Sequence, residues 1–397
     1  MKKLQAVIMR GGTSRAVFLH ERDLPADPAE RDPAILGVFG SPDPFRKQVD
    51  GLGGATSSTS KVAVIGDGRA HGVDVTYDFG QVSIDQPLID RRGNCGNISS
   101  AVGPFAVDEG LVEVVEPVTQ VRFLNTNTGK VIVAHVPTRD GRFDPRGDFA
   151  IPGVPGTAAK IQLDYLDPGG AVTGALLPTG RVRDVVDVPG VGEIEISIVD
   201  AANPLVYARW EDLGLTGLER PQDIDGDPAL LTRIESVRAA AAVLAGITAT
   251  PEEATANVPS VPKMAFVGRP RDYVRTDGEP AAASATTLRA AMMSMGRLHP
   301  AFALSGGICT AVAAGIPGTL VAGLSDHASA PAGVCRIGHP SGILSMEAHP
   351  EQVDGAWHIA KVSAFRTARR LMEGVAYVPD REYLPDNAEQ QAQSAHR

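Results

Sequence analysis

The stretch NCGNISSAV, Asn94–Val102, returns in altered form as LSGGICTAV, Leu304–Val312. Each is a turn of small residues running into an apolar segment, which reads as the entry to a buried helix. Three further matches keep the same order along the chain. VIMRGGTSRAVFLHERDL from Val7 resembles SIVDAANPLVYARWEDL from Ser197, and SKVAVIG from Ser60 resembles PKMAFVG from Pro262. NTGKVIV from Asn127 resembles PSGILSM from Pro340. The offset grows steadily from the first pair to the last, as it would if the second copy carried small insertions. The chain therefore reads as an internal duplication, with an N-terminal lobe over 1–185, a C-terminal lobe over 186–380 and a polar tail over 381–397. The boundary falls in the turn-rich stretch Thr179–Val191. Two such lobes face each other across a pseudo-twofold axis, and the cleft between them receives equivalent loops from both sides. Domain interfaces of this kind are favoured ligand sites.

The local patterns predict an α+β fold. Val73–Tyr77, Val121–Leu124, Val131–Val136 and Glu193–Val199 alternate or are β-branched, so they read as strands. Helices are expected over Pro28–Phe39 behind an Asp27 cap, over Asp227–Ile247, and over Ala283–Met295. Pro300–Ser325 carries no charge, but Gly306-Gly307 and Ile316-Pro317-Gly318 would break a membrane span. A buried helix between loops is the expectation there.

Composition narrows the function. The 397 residues carry a net charge of −10 and no Lys/Arg cluster longer than a dipeptide beyond Met1-Lys2-Lys3, which argues against nucleic acid and anionic membranes. Three cysteines, Cys95, Cys309 and Cys335, make neither a disulfide framework nor a CxxC site. The apolar run Leu4–Met9 is too short for a signal peptide, so a cytoplasmic setting is expected.

Four constellations could carry chemistry. Gly93-Asn94-Cys95-Gly96-Asn97 enters a helix, where free N–H groups and the helix dipole would hold a carboxylate or enolate and lower a thiol pKa. A buried cysteine in a tight turn is the plainer alternative. The partner turn is Leu304–Cys309, with Ser305 and Gly306 matched to Cys95 and Gly96, which leaves Cys309 for the core. The run Gly53–Ser60 leads into Lys61 and an apolar strand. Lys61 is either a surface lysine or a rim lysine whose pKa falls through desolvation or a second cation such as Lys263. Arg10–Ser14 is a simple hairpin or an anion nest made by Gly12, Thr13 and Ser14. In His339-Pro340-Ser341-Gly342, Ser341 could take a carboxylate oxygen. His299 is either structural or part of the same site as Ser305. No GxSxG, HExxH, GxGxxG or EF-hand loop occurs, and no His and carboxylate positions cluster as metal ligands. A site without metal or cofactor is expected.

At these motifs the sequence resembles the 2-methylaconitate cis-trans isomerase (PrpF) family of propionate catabolism, whose relatives include oxalomesaconate tautomerases and methylitaconate isomerases. The resemblance rests on MRGGTS, GSPDPF, DGLGGATSSTSKVAV, FGQVSID, GNCGNISSAVGPFAVDEGLV, PKMAFV, SMGRLH, IPGTL and HPSG, which run from Met9 to Gly342. It implies a diaminopimelate-epimerase-like fold of two pseudo-symmetric lobes, each with strands wrapped round a central helix. It also implies that Lys61 and Cys95 are the acid/base pair, with Lys61 the principal base. Substrate contacts would come from Gly12, Thr13, Ser14, Ser60, Asn94, Gly96, Asn97, Lys263, His299, Ser305, Gly306, Ser341 and Gly342. Epimerases of this fold place a cysteine in each lobe. Ser305 in the second-lobe position departs from that and favours a lysine-based isomerase. A second departure is Ser14-Arg15-Ala16, where the family often reads TSKG.

The expected reaction moves a double bond in a small unsaturated tricarboxylate, such as 2-methyl-trans-aconitate to the cis acid. Lys61 takes a proton, a dienolate forms against the helix N–H groups, and Lys61 or Cys95 returns the proton. A 4-oxalomesaconate keto–enol tautomerase needs the same groups. An amino-acid epimerase would need two facing bases, and a carboxylate-binding protein would need no base. The expected partner is the small tricarboxylate alone, with a homodimer allowed.

Overall fold

The computed structural model describes residues 2–188 and 192–379. The end of the expected boundary stretch, 189–191, and the tail 381–397 lie outside the described residues.

The first lobe is built from β1 (Lys2–Gly11), β2 (Ser14–His20), α1 (Pro28–Phe39), β3 (Lys61–Asp67), β4 (Val75–Val82), α2 (Gly96–Asp108), β5 (Val118–Asn125), β6 (Lys130–Arg139) and β7 (Ile161–Leu166). The strand β8 (Asp184–Val188) leads to the second lobe. There β9 (Gly192–Ala201), β10 (Asn203–Arg209), α3 (Pro228–Leu244), β11 (Lys263–Gly268), β12 (Leu288–Ser294), α4 (Leu304–Gly315), β13 (Val334–His339), β14 (Gly342–Glu347) and β15 (Lys361–Arg366) follow, and β16 (Ala368–Val378) ends the described chain.

The two lobes repeat one pairing scheme. β1–β2 is antiparallel, β2–β3 parallel, β3–β4 antiparallel, β4–β5 parallel, and β5–β6 and β6–β7 antiparallel. The same sequence of senses runs through β9–β10, β10–β11, β11–β12, β12–β13, β13–β14 and β14–β15. All four sequence matches fall on equivalent elements. The lobes are also stitched together. β7 pairs with β15, β8 pairs with β9, and β16 pairs with β1 along its whole length. Residues 361–378, grouped by sequence with the second lobe, are thus hydrogen-bonded into the first.

Each sheet wraps a central helix and carries another helix outside. On β3, Ala63 and Ile65 face the core shared by α2 and α4, while Val62 and Val64 face Ile35, Val38 and Phe39 of α1. Asp27 and Asp227 cap α1 and α3 through the backbone N–H groups of Ala29 and Leu230. Every residue of α2 from Gly96 to Val107 is buried. Small residues allow this wrapping, since a Cβ on Gly103 would lie 2.6 Å from Val136 Cγ2. The uncharged stretch after Pro300 contains α4, buried from Leu304 to Ala314. No helix among the described residues is long and apolar enough to cross a membrane.

Of the helix expected over Ala283–Met295, a single 3-10 turn forms at Ala283–Ala285 and Leu288–Ser294 is strand β12. Its Ala290 and Met292 pack toward α4, while Ala291 and Met293 pack toward α3. A strand covered on both faces loses its period-2 pattern, and its Ala and Met then imitate a helix.

Candidate active site

Two lysines begin equivalent strands. Lys61 opens β3 and Lys263 opens β11, and both line one cleft between the lobes. Antiparallel pairing sets Lys61 directly opposite Gln81. The register that sets Ala265 opposite Met292 brings Ser294 level with Lys263. Lys61 is 6% exposed, and its Nζ donates to Gln81 Oε1 at 2.5 Å and lies 5.2 Å from the centre of the Phe79 ring. Lys263 is only partly buried, and its Nζ donates to the Ser260 carbonyl at 3.1 Å.

The central helices supply the facing wall. Cys95 precedes the first turn of α2 and Ala303 that of α4, and no side chain caps either helix. The first N–H groups of a helix have no intrahelical acceptor, so two sets of donors converge here. Their approach is close, because a Cβ on Gly96 would lie 2.8 Å from the Ser305 backbone nitrogen. Gly306 packs in the same first turn, where a Cβ would meet Met292 Sδ at 2.8 Å. Asn94, Cys95, Asn97 and Ser305 all line the cleft, and Asn94 Oδ1 is held by the Ser99 hydroxyl at 3.1 Å.

Burial sets the electrostatics. It lowers the Lys61 pKa, with the nearby Cys95 sulfur acting in the opposite sense. Lys263 is lowered to about 8, first by burial and then by the charge of Lys61. His299 is lowered to about 3 by burial and then by Lys61, so it stands neutral with Nδ1 accepting the Ala301 N–H at 3.1 Å. No Asp or Glu is among the described residues that line the cleft. A chain of net charge −10 therefore keeps a locally positive cleft, which suits an anionic ligand. No group of three or more His, Cys, Asp or Glu that could hold a metal ion occurs among the described residues.

Of the residues expected from sequence, Ser14, Lys61, Asn94, Cys95, Asn97, Lys263, His299 and Ser305 line the cleft together. Gly12 and Thr13 stand one layer behind, in the β1–β2 turn. Thr13 Oγ1 accepts from Asn97 Nδ2 at 3.0 Å, and Gly12 (φ 50°) leaves no room for a Cβ beside Asn97 Oδ1. Ser60 also stands behind, with its hydroxyl donating to Gln48 Oε1 at 2.6 Å. Ser341 and Gly342 do not join the lining. The Ser341 hydroxyl donates to the Pro300 carbonyl, and the Gly342 carbonyl accepts from the Tyr273 hydroxyl at 2.6 Å. That turn fixes the segment before α4 instead of presenting a free hydroxyl. Cys309 and Cys335 are core residues, with burial pushing each thiol up to about 12.

Gln81, Asn203 and Ser294 also line the cleft and were not singled out from sequence, and Ser57 and Ser58 of the Gly53–Ser60 run line it too. Gln81 left a signal, as a lone amide in the apolar run ending β4. Arg366 was missed as well. It is buried, donates through Nε to Asn97 Oδ1 at 3.2 Å, and is lowered to about 10 by burial.

The chain is similar to known proteins. The chain is 44% identical to a 3-methylitaconate isomerase from Eubacterium barkeri, over 95% of the chain and 97% of that protein. It is 42% identical to a 2-methyl-aconitate isomerase from Shewanella oneidensis, over 95% and 97%. A crystal structure of a methylitaconate-delta-isomerase superposes with a TM-score of 0.75 at 43% identity, covering 97% of this chain and 98% of that one. The protein is an isomerase with the diaminopimelate-epimerase-like fold, an architecture also found in a probable proline racemase and a hydroxyproline epimerase. It belongs to the PrpF family, whose model, described as PrpF protein, matches residues 1–379.

Proposed function

We propose that the protein isomerises a small unsaturated tricarboxylate, with 2-methyl-trans-aconitate going to 2-methyl-cis-aconitate. The observation that carries this reading is the pair of amines, Lys61 and Lys263, set at one cleft from equivalent strands and facing two uncapped helix N-termini. Neutral Lys61 takes a proton from the carbon next to the double bond and itself becomes an ammonium. The electron pair left behind delocalises over the allylic unit and into a carboxylate, so the former double bond can rotate. Return of the proton to its original carbon gives the cis acid, and return to the far allylic carbon gives a shifted double bond. Lys263, as a cation, and the first-turn N–H groups of α2 and α4 hold the carboxylates and the charge that develops on them. Preorganised donors of this kind each contribute about 3–4 kcal/mol to barrier lowering. The Lys61 ammonium returns the proton it took, and Cys95 lies beside it on the cleft wall.

A relative named for methylitaconate is as similar as one named for 2-methylaconitate, which supports a second reading with the same base and a methylitaconate-type acid. Proton NMR in D2O separates the two. Wild type is incubated with 2-methyl-trans-aconitate, methylitaconate or 4-oxalomesaconate, each beside Lys61→Ala. Conversion of the first acid by wild type alone supports the primary reading. Turnover of only another acid moves the substrate and leaves the base in place. Full activity in Lys61→Ala overturns the assignment of the base.

A further inference from the structure

Gln81 stands where a buried lysine would ordinarily find a carboxylate. It is 4% exposed and directly across the β3–β4 ladder from Lys61, so the two side chains share one face of the sheet. Its amide is fixed at both ends. Nε2 donates to the Ser60 carbonyl at 2.9 Å and to the Ser57 carbonyl at 3.2 Å, which turns Oε1 toward Lys61 Nζ at 2.5 Å. The Gly53–Ser60 run thus reaches the lysine through this amide and not through its own hydroxyls.

We propose that Gln81 is a positioning residue for the isomerisation: its carbonyl pins the Lys61 amine at the cleft wall while adding no charge that would hold a proton there. The inference rests on Lys61 being the base. A carbonyl accepts an N–H from the amine or the ammonium alike, so it fixes the nitrogen through the whole proton cycle and leaves the lone pair for the substrate. The other groups around that nitrogen are the Phe79 ring, the Cys95 sulfur, Lys263 and His299. None of these is a carboxylate, and the buried Asp90, opposite Gln81 on its far side, accepts the Ser260 and Arg92 N–H groups at 2.9 and 3.0 Å. A glutamate at position 81 would place an opposite charge within hydrogen-bond reach, and such a charge stabilises the ammonium by about 1–3 pKa units.

The test compares wild type, Gln81→Glu, Gln81→Met and Lys61→Ala on the acid that wild type turns over, with circular dichroism to establish folding. In Gln81→Glu the acid limb of the kcat profile moves up by about one unit or more, and activity at neutral pH falls about tenfold or more but recovers as pH rises. In Gln81→Met the loss falls on kcat and does not recover at high pH, because the nitrogen is no longer pinned. If both folded variants keep the wild-type pH profile and kcat while Lys61→Ala is inactive, the role given to Gln81 is wrong and the base stands. If Lys61→Ala is active, the base itself is wrong.

Discussion

The two lobes carry the same strand start and have put it to different use. Lys61 is sealed in, backed by an amide and an aromatic ring. Lys263 keeps some exposure, bonds to a backbone carbonyl, and lies level with the small Ser294. The facing helices differ in the same way, with Cys95 before α2 and Ala303 before α4. Duplication supplied two amines and two donor clusters aimed at one point. Divergence then gave the two amines unlike surroundings. A symmetric pair of bases fits inversion at one carbon. An unequal pair fits moving a proton and an electron pair across an allylic unit.

The largest effect expected on this asymmetry is from Lys61→Met, which should lower kcat by about 10³-fold, as loss of a positioned general base does. The same substitution should stabilise the fold. A lysine pKa lowered by burial means the native state binds fewer protons than the unfolded state, so this residue costs stability below its unfolded pKa and stability rises with pH. Removing it raises Tm at pH 7 and flattens that dependence, as thermal melts would read. A variant with lower Tm and normal kcat would make the two lysines ordinary structural neighbours.

Next is Lys263→Met. With Lys263 lowered to about 8, wild-type kcat/KM should fall as pH passes about 8 and Lys263 loses its charge. The variant should lose that alkaline limb. It should lose about 10–100-fold in kcat/KM, mostly through KM, since a charge-assisted hydrogen bond contributes about 1.5–3 kcal/mol. A loss confined to kcat would instead make Lys263 a second proton carrier.

Gly96→Ala probes where the helices meet. Its methyl would lie 2.8 Å from a backbone nitrogen that cannot swing away, so a loss of about 1–3 kcal/mol in denaturant melts is expected, with weaker substrate binding. The smallest effect is from Cys309→Ala. Its thiol donates to the Val199 carbonyl at 3.1 Å in the shared core, so the variant should lose about 1 kcal/mol of stability and keep its turnover.

Much of this was legible in the sequence because the repeat preserves element order. Lys61 and Lys263 were aligned from SKVAVIG and PKMAFVG, and both line the cleft. Strand β12 was read as helix because burial on two faces erased its alternation. Ser341 looked available because its hydroxyl's bond to the Pro300 carbonyl is a tertiary contact that no local pattern encodes. Arg366 and Asn203 were invisible for the same reason, since long-range pairing alone brings them to α2 and to the cleft.

The pairing of β16 with β1 also bears on synthesis. Lys2 lies opposite Val378, so β1 is synthesised long before the outer neighbour it pairs with. Closing so long a loop is slow, and until then β1 has an open hydrogen-bonding edge. The nascent first half should therefore depend on chaperone cover, and a chain that stops before residue 361 should be degraded or aggregate before it can yield half an enzyme.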